Sequence, residues 1–255
     1  VENQLVKLQR LLAIYEPKEQ LAFLEKIYNK YSNCPEVKWY FKEELFYELA
    51  LAYMRKNDDS KAMLLLSHIS QISKKGSYFS SASILYSSRI LLKEINKQDD
   101  QSHKKVAESL LLTLKNLSLR KDLDNEPLHL EAAMEYIDLQ CSITDKHVVN
   151  KRIDLLTKFI QNFSSNNDMT SKMYQTKRKT SKNKDKLLNR YLSTAEAERA
   201  VYKYLRAKKR EPSSAKKYKK EALDMISILE KQKNMCSSYL RKRIDKLTRT
   251  IQRER

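Results

Sequence analysis

Residues 47–66 read YELALAYMRKNDDSKAMLLL, two apolar-periodic runs that meet at the charged corner NDDS. In each run the apolar residues recur every three or four positions, which is the spacing of one buried face of an α-helix. Asp and Ser are preferred N-cap residues. The stretch therefore predicts a helical hairpin, in which one helix ends near Arg55 and the next is capped by Asp59 or Ser60 and runs to Ile72.

Glycine is nearly absent from the chain. One Gly and four Pro among 255 residues leave little with which to build the tight turns and bulges of β-sheets. We therefore predict an all-α fold of stacked antiparallel α-hairpins, with a core drawn from the 41% of residues that are hydrophobic. The single glycine, Gly76, also excludes a phosphate-binding loop and a dinucleotide fingerprint, because each needs several glycines.

The helical stripe recurs along most of the chain. It predicts helices at 4–15, 17–31, 36–55, 78–95, 101–119, 126–142 and 145–163, in addition to the helix capped by Asp59 or Ser60 that runs to Ile72. The connections between them are short and polar, which favours antiparallel neighbours. Residues 1–163 are thus predicted to form a helical-hairpin array.

The last third of the chain has a different composition. Residues 164–186 are polar and rich in Lys, and they predict a basic linker or loop that is flexible or weakly helical. Residues 187–255 predict a basic helical C-terminal segment, in which Ser213 or Ser214 caps a helix. A final helix has a seam close to a heptad pattern, formed by Leu240, Ile244, Leu247 and Ile251.

Residues 43–76 have large and small apolar residues at defined intervals. Counted from Glu43, positions 4, 7, 8, 11, 20, 24 and 27 are Phe46, Leu49, Ala50, Tyr53, Ala62, Leu66 and Ile69. This pattern resembles one tetratricopeptide repeat. The family has a large–Leu–small–Tyr pattern on its first helix and Ala–large–small on its second; the large Ile69 departs from that pattern. The resemblance implies a superhelix of divergent repeats with a partner-binding groove. An unrelated helical bundle is the alternative, because no second full motif occurs.

A further resemblance concerns residues 24–53, LEKIYNKYSNCPEVKWYFKEELFYELALAY. They look like the repeats of bacterial envelope tetratricopeptide lipoproteins, which implies a periplasmic or envelope location if a signal segment precedes Val1. The three cysteines, Cys34, Cys141 and Cys236, are far apart and odd in number. This pattern favours inert thiols in a reducing compartment, the cytoplasm. No apolar run reaches the roughly 20 residues of a membrane span.

Side chains suited to acid–base or metal chemistry are scattered. The four histidines, His68, His103, His129 and His147, form no HExxH motif and pair with no cysteine at metal-ligand spacing. Clustered carboxylates lie in predicted turns beside helix N-termini, where capping accounts for them. We therefore expect no enzymatic activity, no cofactor, no metal site and no small-molecule substrate.

The favoured function is that of an interaction scaffold or adaptor that binds a protein or peptide segment. The residues expected to face that partner are Lys42, Tyr47 and Arg55, on the first helix of the hairpin. Ala50, Tyr53 and Ala62 are expected to serve packing instead.

Positive charge supplies an alternative function. Residues 164–255 hold 27 Lys/Arg and 10 Asp/Glu, whereas residues 1–163 hold 24 and 22. Tyrosines at 174, 191, 202, 204, 218 and 239 are interleaved with the basic clusters, a composition that suits phosphate contact and base stacking. The partner expected is nucleic acid, an anionic lipid or an acidic protein; a solvated lysine-rich surface is the competing interpretation. The candidate residues are Lys177, Arg178, Lys179, Lys208, Lys209, Arg210, Lys216, Lys217, Arg241, Lys242 and Arg243.

Overall fold

A computed structural model describes residues 17–33, 39–95, 102–120, 126–142, 148–173 and 181–253. Within these ranges the chain is helical and contains no strand, which confirms the predicted all-α class. The predicted helix at 4–15 lies outside them. The helices are α1 (Pro17–Tyr31), α2 (Trp39–Arg55), α3 (Asp59–Ile72), α4 (Tyr78–Ile95), α5 (Ser102–Ser118), α6 (Glu126–Ser142), α7 (Val148–Met173), α8 (Ser181–Arg210), α9 (Pro212–Gln232) and α10 (Ser238–Arg253), with a 3₁₀ turn at Lys233–Met235.

The chain divides into two compact units, Val1–Leu128 and His129–Arg255. This division differs from the predicted one at 163/164. Helix α7 also continues through the predicted linker as far as Met173, and α8 begins at Ser181. A polar composition does not prevent a helix, because Lys, Ser and Asn each cost only about 0.7 kcal/mol or less relative to Ala in a helix. Residues 174–180 of the predicted linker lie outside the described ranges.

The corner between α2 and α3 is a Schellman motif. Asn57 has a left-handed backbone with a φ of 59°, which Asn tolerates better than most residues that carry a side chain. The backbone N–H of Asn57 donates to the carbonyl of Met54 at 3.1 Å, and that of Asp58 donates to Tyr53 at 3.0 Å. Asn57 thus takes the place usually filled by glycine, so the chain reverses here without one.

The N-cap of α3 is Asp58, so the predicted caps Asp59 and Ser60 are wrong. The carboxylate of Asp58 accepts a hydrogen bond from the backbone N–H of Lys61 at 3.2 Å. Asp58 is selected because it follows Asn57 directly, and the Schellman motif leaves it outside the helix with its side chain over the first turn.

Helix α9 begins at Pro212 after Glu211, whose side chain makes no capping hydrogen bond. The predicted caps Ser213 and Ser214 are therefore wrong as well. Proline suits the first helical position because its φ is already helical and it has no N–H to satisfy. Pro212 thus indicated the start of the helix more reliably than the two serines that follow it.

In the first unit each helix packs against the next, and α2 also packs against α4. The hydroxyl of Tyr53 on α2 donates to Glu25 Oε1 on α1 at 2.6 Å, and Lys93 on α4 pairs with Asp59 on α3 at 3.1 Å. This order of neighbours is that of helical-repeat proteins. The seven residues compared with the repeat pattern, from Phe46 to Ile69, are all buried, which confirms the packing role predicted for Ala50, Tyr53 and Ala62.

In the second unit helices α6 to α10 contribute to one hydrophobic core. The predicted seam of α10 lies in this core, and its four residues from Leu240 to Ile251 are at most 5% exposed. The other helices contribute residues such as Met134, Leu156, Tyr191 and Ile226. Because α8 packs against α7, α9 and α10, it is the central helix of the unit.

Replacement of Ala50 by Leu tests the packing of the hairpin. Ala50 is fully buried, so a larger side chain has to displace its neighbours. We expect Ala50→Leu to lower the free energy of unfolding by about 1–3 kcal/mol, measured by chemical denaturation of the whole chain. Leu64→Ala is the control: Leu64 is 58% exposed on α3, and its loss should cost no more than about 0.5 kcal/mol. Equal midpoints for Ala50→Leu and the unaltered chain would contradict the assignment.

Candidate functional site

Tyr47, predicted to face a partner, is buried. Its ring lies against the rings of Tyr78, Phe79 and Tyr86 on α4, with centroid separations of 5.9, 5.6 and 5.8 Å. Its hydroxyl is 3.3 Å from that of Tyr78. Burial raises the pKa of Tyr47, and the nearby Tyr86 and Tyr78 add to the effect. The expected exposure of Tyr47 is therefore wrong: this residue joins α2 to α4 and offers no surface to a partner.

Lys42 and Arg55 do not form a site together. Lys42 is half-buried and Arg55 is exposed, and Arg55 Nη1 donates to Gln20 Oε1 on α1 at 3.1 Å. The two residues are thirteen positions apart on one helix, a rise of about 20 Å. The structure thus leaves the three predicted partner contacts of α2 in three different surroundings.

The thiols and histidines do not assemble a reactive centre in the described ranges. Cys141 and Cys236 are buried, and burial raises the pKa of each thiol, which keeps it protonated at neutral pH. His68 packs its ring against Phe46, at a centroid distance of 6.1 Å. Among the described residues no three His, Cys, Asp or Glu side chains are close enough together to hold a metal ion. Cys34 and His147 lie outside those residues.

Five of the predicted polyanion contacts meet where α8 ends and α9 begins. All five are exposed, and only Glu211 separates the two helices. The backbone N–H of Glu211 donates to the carbonyl of Ala207 at 2.7 Å, which closes the end of α8. We call this group the α8–α9 corner; it consists of Lys208, Lys209, Arg210, Lys216 and Lys217.

The basic run 241–243 divides between two environments. Arg241 and Lys242 are exposed on α10, whereas Arg243 is buried. Arg243 was predicted to contact a polyanion, and that prediction is wrong, because its guanidinium is occupied inside the unit. The remaining predicted contacts, Lys177, Arg178 and Lys179, lie outside the described residues.

The guanidinium of Arg243 belongs to a cluster of four charged residues from four helices. Arg243 Nε donates to Glu198 Oε2 on α8 at 3.0 Å, and Arg243 Nη1 donates to Asp138 Oδ2 on α6 at 2.7 Å. Arg152 on α7 donates through Nε to Glu198 Oε1 at 2.7 Å and also pairs with Asp138. We call Asp138, Arg152, Glu198 and Arg243 the charge cluster. It holds two positive and two negative groups and is therefore neutral as a whole.

Two tyrosines cover the charge cluster. The Arg152 guanidinium carbon is 4.8 Å from the ring centroid of Tyr202, and that of Arg243 is 5.6 Å from Tyr239. Arg243 Nη1 also donates to the Tyr239 hydroxyl at 2.7 Å. Cation–π contacts of this kind gain strength where water is excluded, so both rings stabilise the arginines of the charge cluster.

The charges within the cluster shift the pKa values of Asp138 and of both arginines. Burial would raise the pKa of Asp138, but Arg243 and Arg152 outweigh that effect and hold the pKa below its ordinary value. Burial likewise works against the charge of both arginines, yet Glu198 and Asp138 keep the pKa of each above its ordinary value. Asp138 and both arginines are therefore held in their charged forms at neutral pH.

The tyrosines expected to stack on bases mostly face inward. Tyr191 and Tyr204 are buried, and Tyr191 donates to Glu131 Oε1 at 2.6 Å. Tyr202 and Tyr239 are half-buried over the charge cluster, and Tyr218 packs against the core. Tyr174 lies outside the described residues. The described basic surface therefore offers charge to a partner and almost no aromatic face.

Three members of the charge cluster, Asp138, Arg152 and Glu198, were not singled out from the sequence. They lie on three helices and have no characteristic spacing. One signal was available: Glu198 lies in line with the buried residues Ala195 and Val201 on α8, so a carboxylate occupies a core position. A charge at a core position needs a buried partner, but the identity of that partner depends on the packing of other helices.

Comparison with protein-family models, with curated proteins and with solved structures finds no match for this chain. Within the described ranges, no helix combines the length and the apolar composition needed to cross a membrane.

Arg243 and Arg241 provide a matched pair of variants on one helix. Arg243→Met leaves Glu198 and Asp138 with one cation instead of two, and loss of one partner of a buried ion pair costs about 3–5 kcal/mol. Arg241→Met removes an exposed charge and should change stability by no more than about 0.5 kcal/mol. Chemical denaturation of both variants measures the difference. If the two variants unfold at the same denaturant concentration, the buried role of Arg243 is wrong.

The low pKa of Asp138 predicts a pH-dependent contribution to stability. The ionised form is favoured in the folded chain, so its contribution is present above the ordinary Asp pKa of about 3.9 and is lost as the pH falls through the lower folded-state pKa. We expect Asp138→Asn to be clearly less stable than the unaltered chain at about pH 7, and the gap to narrow towards about pH 3. Asp224→Asn, at an exposed position of α9, should show little gap at either pH. A gap for Asp138→Asn that stays constant would contradict this prediction.

Proposed function

We propose that the protein is a non-enzymatic interaction scaffold of stacked helical hairpins, and that the exposed basic residues of its second unit bind an anionic partner. The observation that carries this proposal is the α8–α9 corner, where five exposed Lys and Arg side chains surround a single helix junction. Exposed residues of one sign create a positive potential at the surface, and such a potential attracts a polyanion. Folding alone does not require this arrangement, because the corner residues lie outside the core.

The first unit enters this proposal as a divergent tetratricopeptide array. Support comes from the burial of all seven repeat positions in α2 and α3 and from the packing of α2 against both α3 and α4. Of the three residues predicted to contact a partner in its groove, Tyr47 is buried, so only Lys42 and Arg55 remain available, and these two are far apart. The second unit is therefore the favoured place for a partner. An experimental structure in which α2 and α3 do not cross at Ala50 and Ala62 would contradict the repeat assignment.

Retention on immobilised heparin tests the proposal with a generic polyanion. The whole chain should bind at about 50 mM salt and elute as salt is raised, because counterion release drives such binding. Lys216→Glu/Lys217→Glu should elute at a clearly lower salt concentration, since it reverses two charges of the corner.

The control carries the same change of charge on the other unit. Lys74 and Lys75 follow α3 and are exposed, and Lys74→Glu/Lys75→Glu should elute close to the unaltered chain. Equal shifts for both double variants would mean that net charge alone governs retention. Either that result or a failure of the unaltered chain to bind would overturn the assignment of the site.

A further inference from the structure

Four exposed basic residues form a single line along α10. Lys242, Lys246, Arg249 and Arg253 follow one another at intervals of four, three and four positions, and all four are exposed. Residues at such intervals share one face of a helix. We call these four residues the α10 stripe. From first to last the stripe rises by about 17 Å.

The opposite face of α10 holds the stripe in place. Leu240, Ile244, Leu247 and Ile251 are buried in the core of the second unit, and Arg243 is fixed by Glu198 and Asp138. Helix α10 therefore cannot insert as a whole into a groove of a partner, because one of its faces is already packed. A partner has to lie along the exposed face and meet the four cations in order.

The acidic residue that α10 itself carries is paired with a cation outside the helix. Asp245 is the one carboxylate within Ser238–Arg253, and it pairs with Lys233 of the 3₁₀ turn. Lys233 is also held by Glu230 at 3.2 Å. The charge of Asp245 is thus already compensated by Lys233, which lies outside α10. Within the stripe, Lys246 also acts on Asp138, whose pKa it helps to lower.

The composition of the exposed face distinguishes between anionic partners. Helices that lie in a membrane interface insert Trp, Phe or Leu beside their basic residues, and proteins that bind single strands stack bases on exposed aromatic rings. Helix α10 presents neither kind of group, because its apolar residues are buried and Tyr239 is half-buried against Arg243. Its exposed residues, all polar or basic, are Ser238, Arg241, Lys242, Lys246, Arg249, Gln252 and Arg253.

We infer that the α10 stripe binds the phosphate backbone of double-stranded nucleic acid without reading its sequence, an inference that rests on the proposed anionic partner. A duplex carries about one negative charge per 1.7 Å of its axis, so it offers enough phosphates along the stripe for each cation to meet one. Phosphate contacts position a protein on a duplex, and sequence is read only by groups that reach base edges. The stripe supplies phosphate contacts alone.

Anisotropy titration of fluorescein-labelled duplexes of about 20 base pairs, at salt from about 50 to 200 mM, tests the inference. Two duplexes of unrelated sequence should bind with the same Kd within about threefold. Lys246→Gln/Arg249→Gln should weaken binding by about tenfold or more at 0.1 M salt and lower the slope of log K against log salt by about 2, one for each lost phosphate contact. Lys74→Gln/Lys75→Gln is the matched control and should leave Kd and slope unchanged.

Other results separate this inference from the proposed function. Retention on heparin together with duplex binding that the stripe variant does not weaken would overturn the inference and leave the proposed function standing. Tighter binding to vesicles of phosphatidylserine and phosphatidylcholine than to the duplex would assign the stripe to a lipid surface instead. A Kd that differs by more than tenfold between the two duplexes would contradict recognition by charge alone. Because the α10 core residues are unaltered, the denaturation midpoint of the stripe variant should match that of the unaltered chain.

Discussion

Burial of one apolar face per helix against a neighbouring helix is the constraint from which both units follow. A helix alone in water is marginal, and most of its stability in a protein comes from such packing. In the first unit each helix packs its apolar face against the next helix in the chain. The small residues Ala50 and Ala62 are fully buried within the hairpin of α2 and α3. In the second unit α8 takes the central place, and three other helices pack on it. The connections between the helices need few glycines, because Asn57 and Pro212 close or open helices by other means.

The charge cluster adds specificity to the second unit at a cost. Two arginines and two carboxylates leave water together, and their mutual attraction offsets a desolvation penalty of several kcal/mol per ion only when the geometry is good. An apolar core tolerates small shifts of one helix against another, whereas paired hydrogen bonds from Arg243 to both Asp138 and Glu198 do not. The cluster therefore restricts how α6, α7, α8 and α10 align. By the same contacts it removes Arg243 from the surface and leaves Arg241 and Lys242 exposed.

The charged residues of the second unit thus occur in two different settings, one buried and one exposed. Inside the second unit charge is balanced and shared among four helices. On the α8–α9 corner and the α10 stripe it is exposed and predominantly positive. The inward orientation of Tyr191 and Tyr204 changes the kind of recognition that this surface supports, because base stacking needs exposed rings. A partner with a regular array of negative charges suits the surface better than one recognised base by base.

The sequence alone determined the helical class, and it located α1, α4 and α6 at the bounds that the structure has, together with the end of α3 at Ile72. It also identified the buried seam of α10 and the burial of Ala50 and Ala62. These features are local: a period of 3.6 residues and a shortage of glycine are visible within a short window of chain. The end of α7 and the start of α8 were missed, because polar residues carry no periodic hydrophobic signal. Only the tertiary structure decided that Tyr47 packs against α4 and that Arg243 turns inward while its neighbours stay exposed. Those outcomes depend on which helix lies opposite, and that partner is set by contacts between residues far apart in the chain.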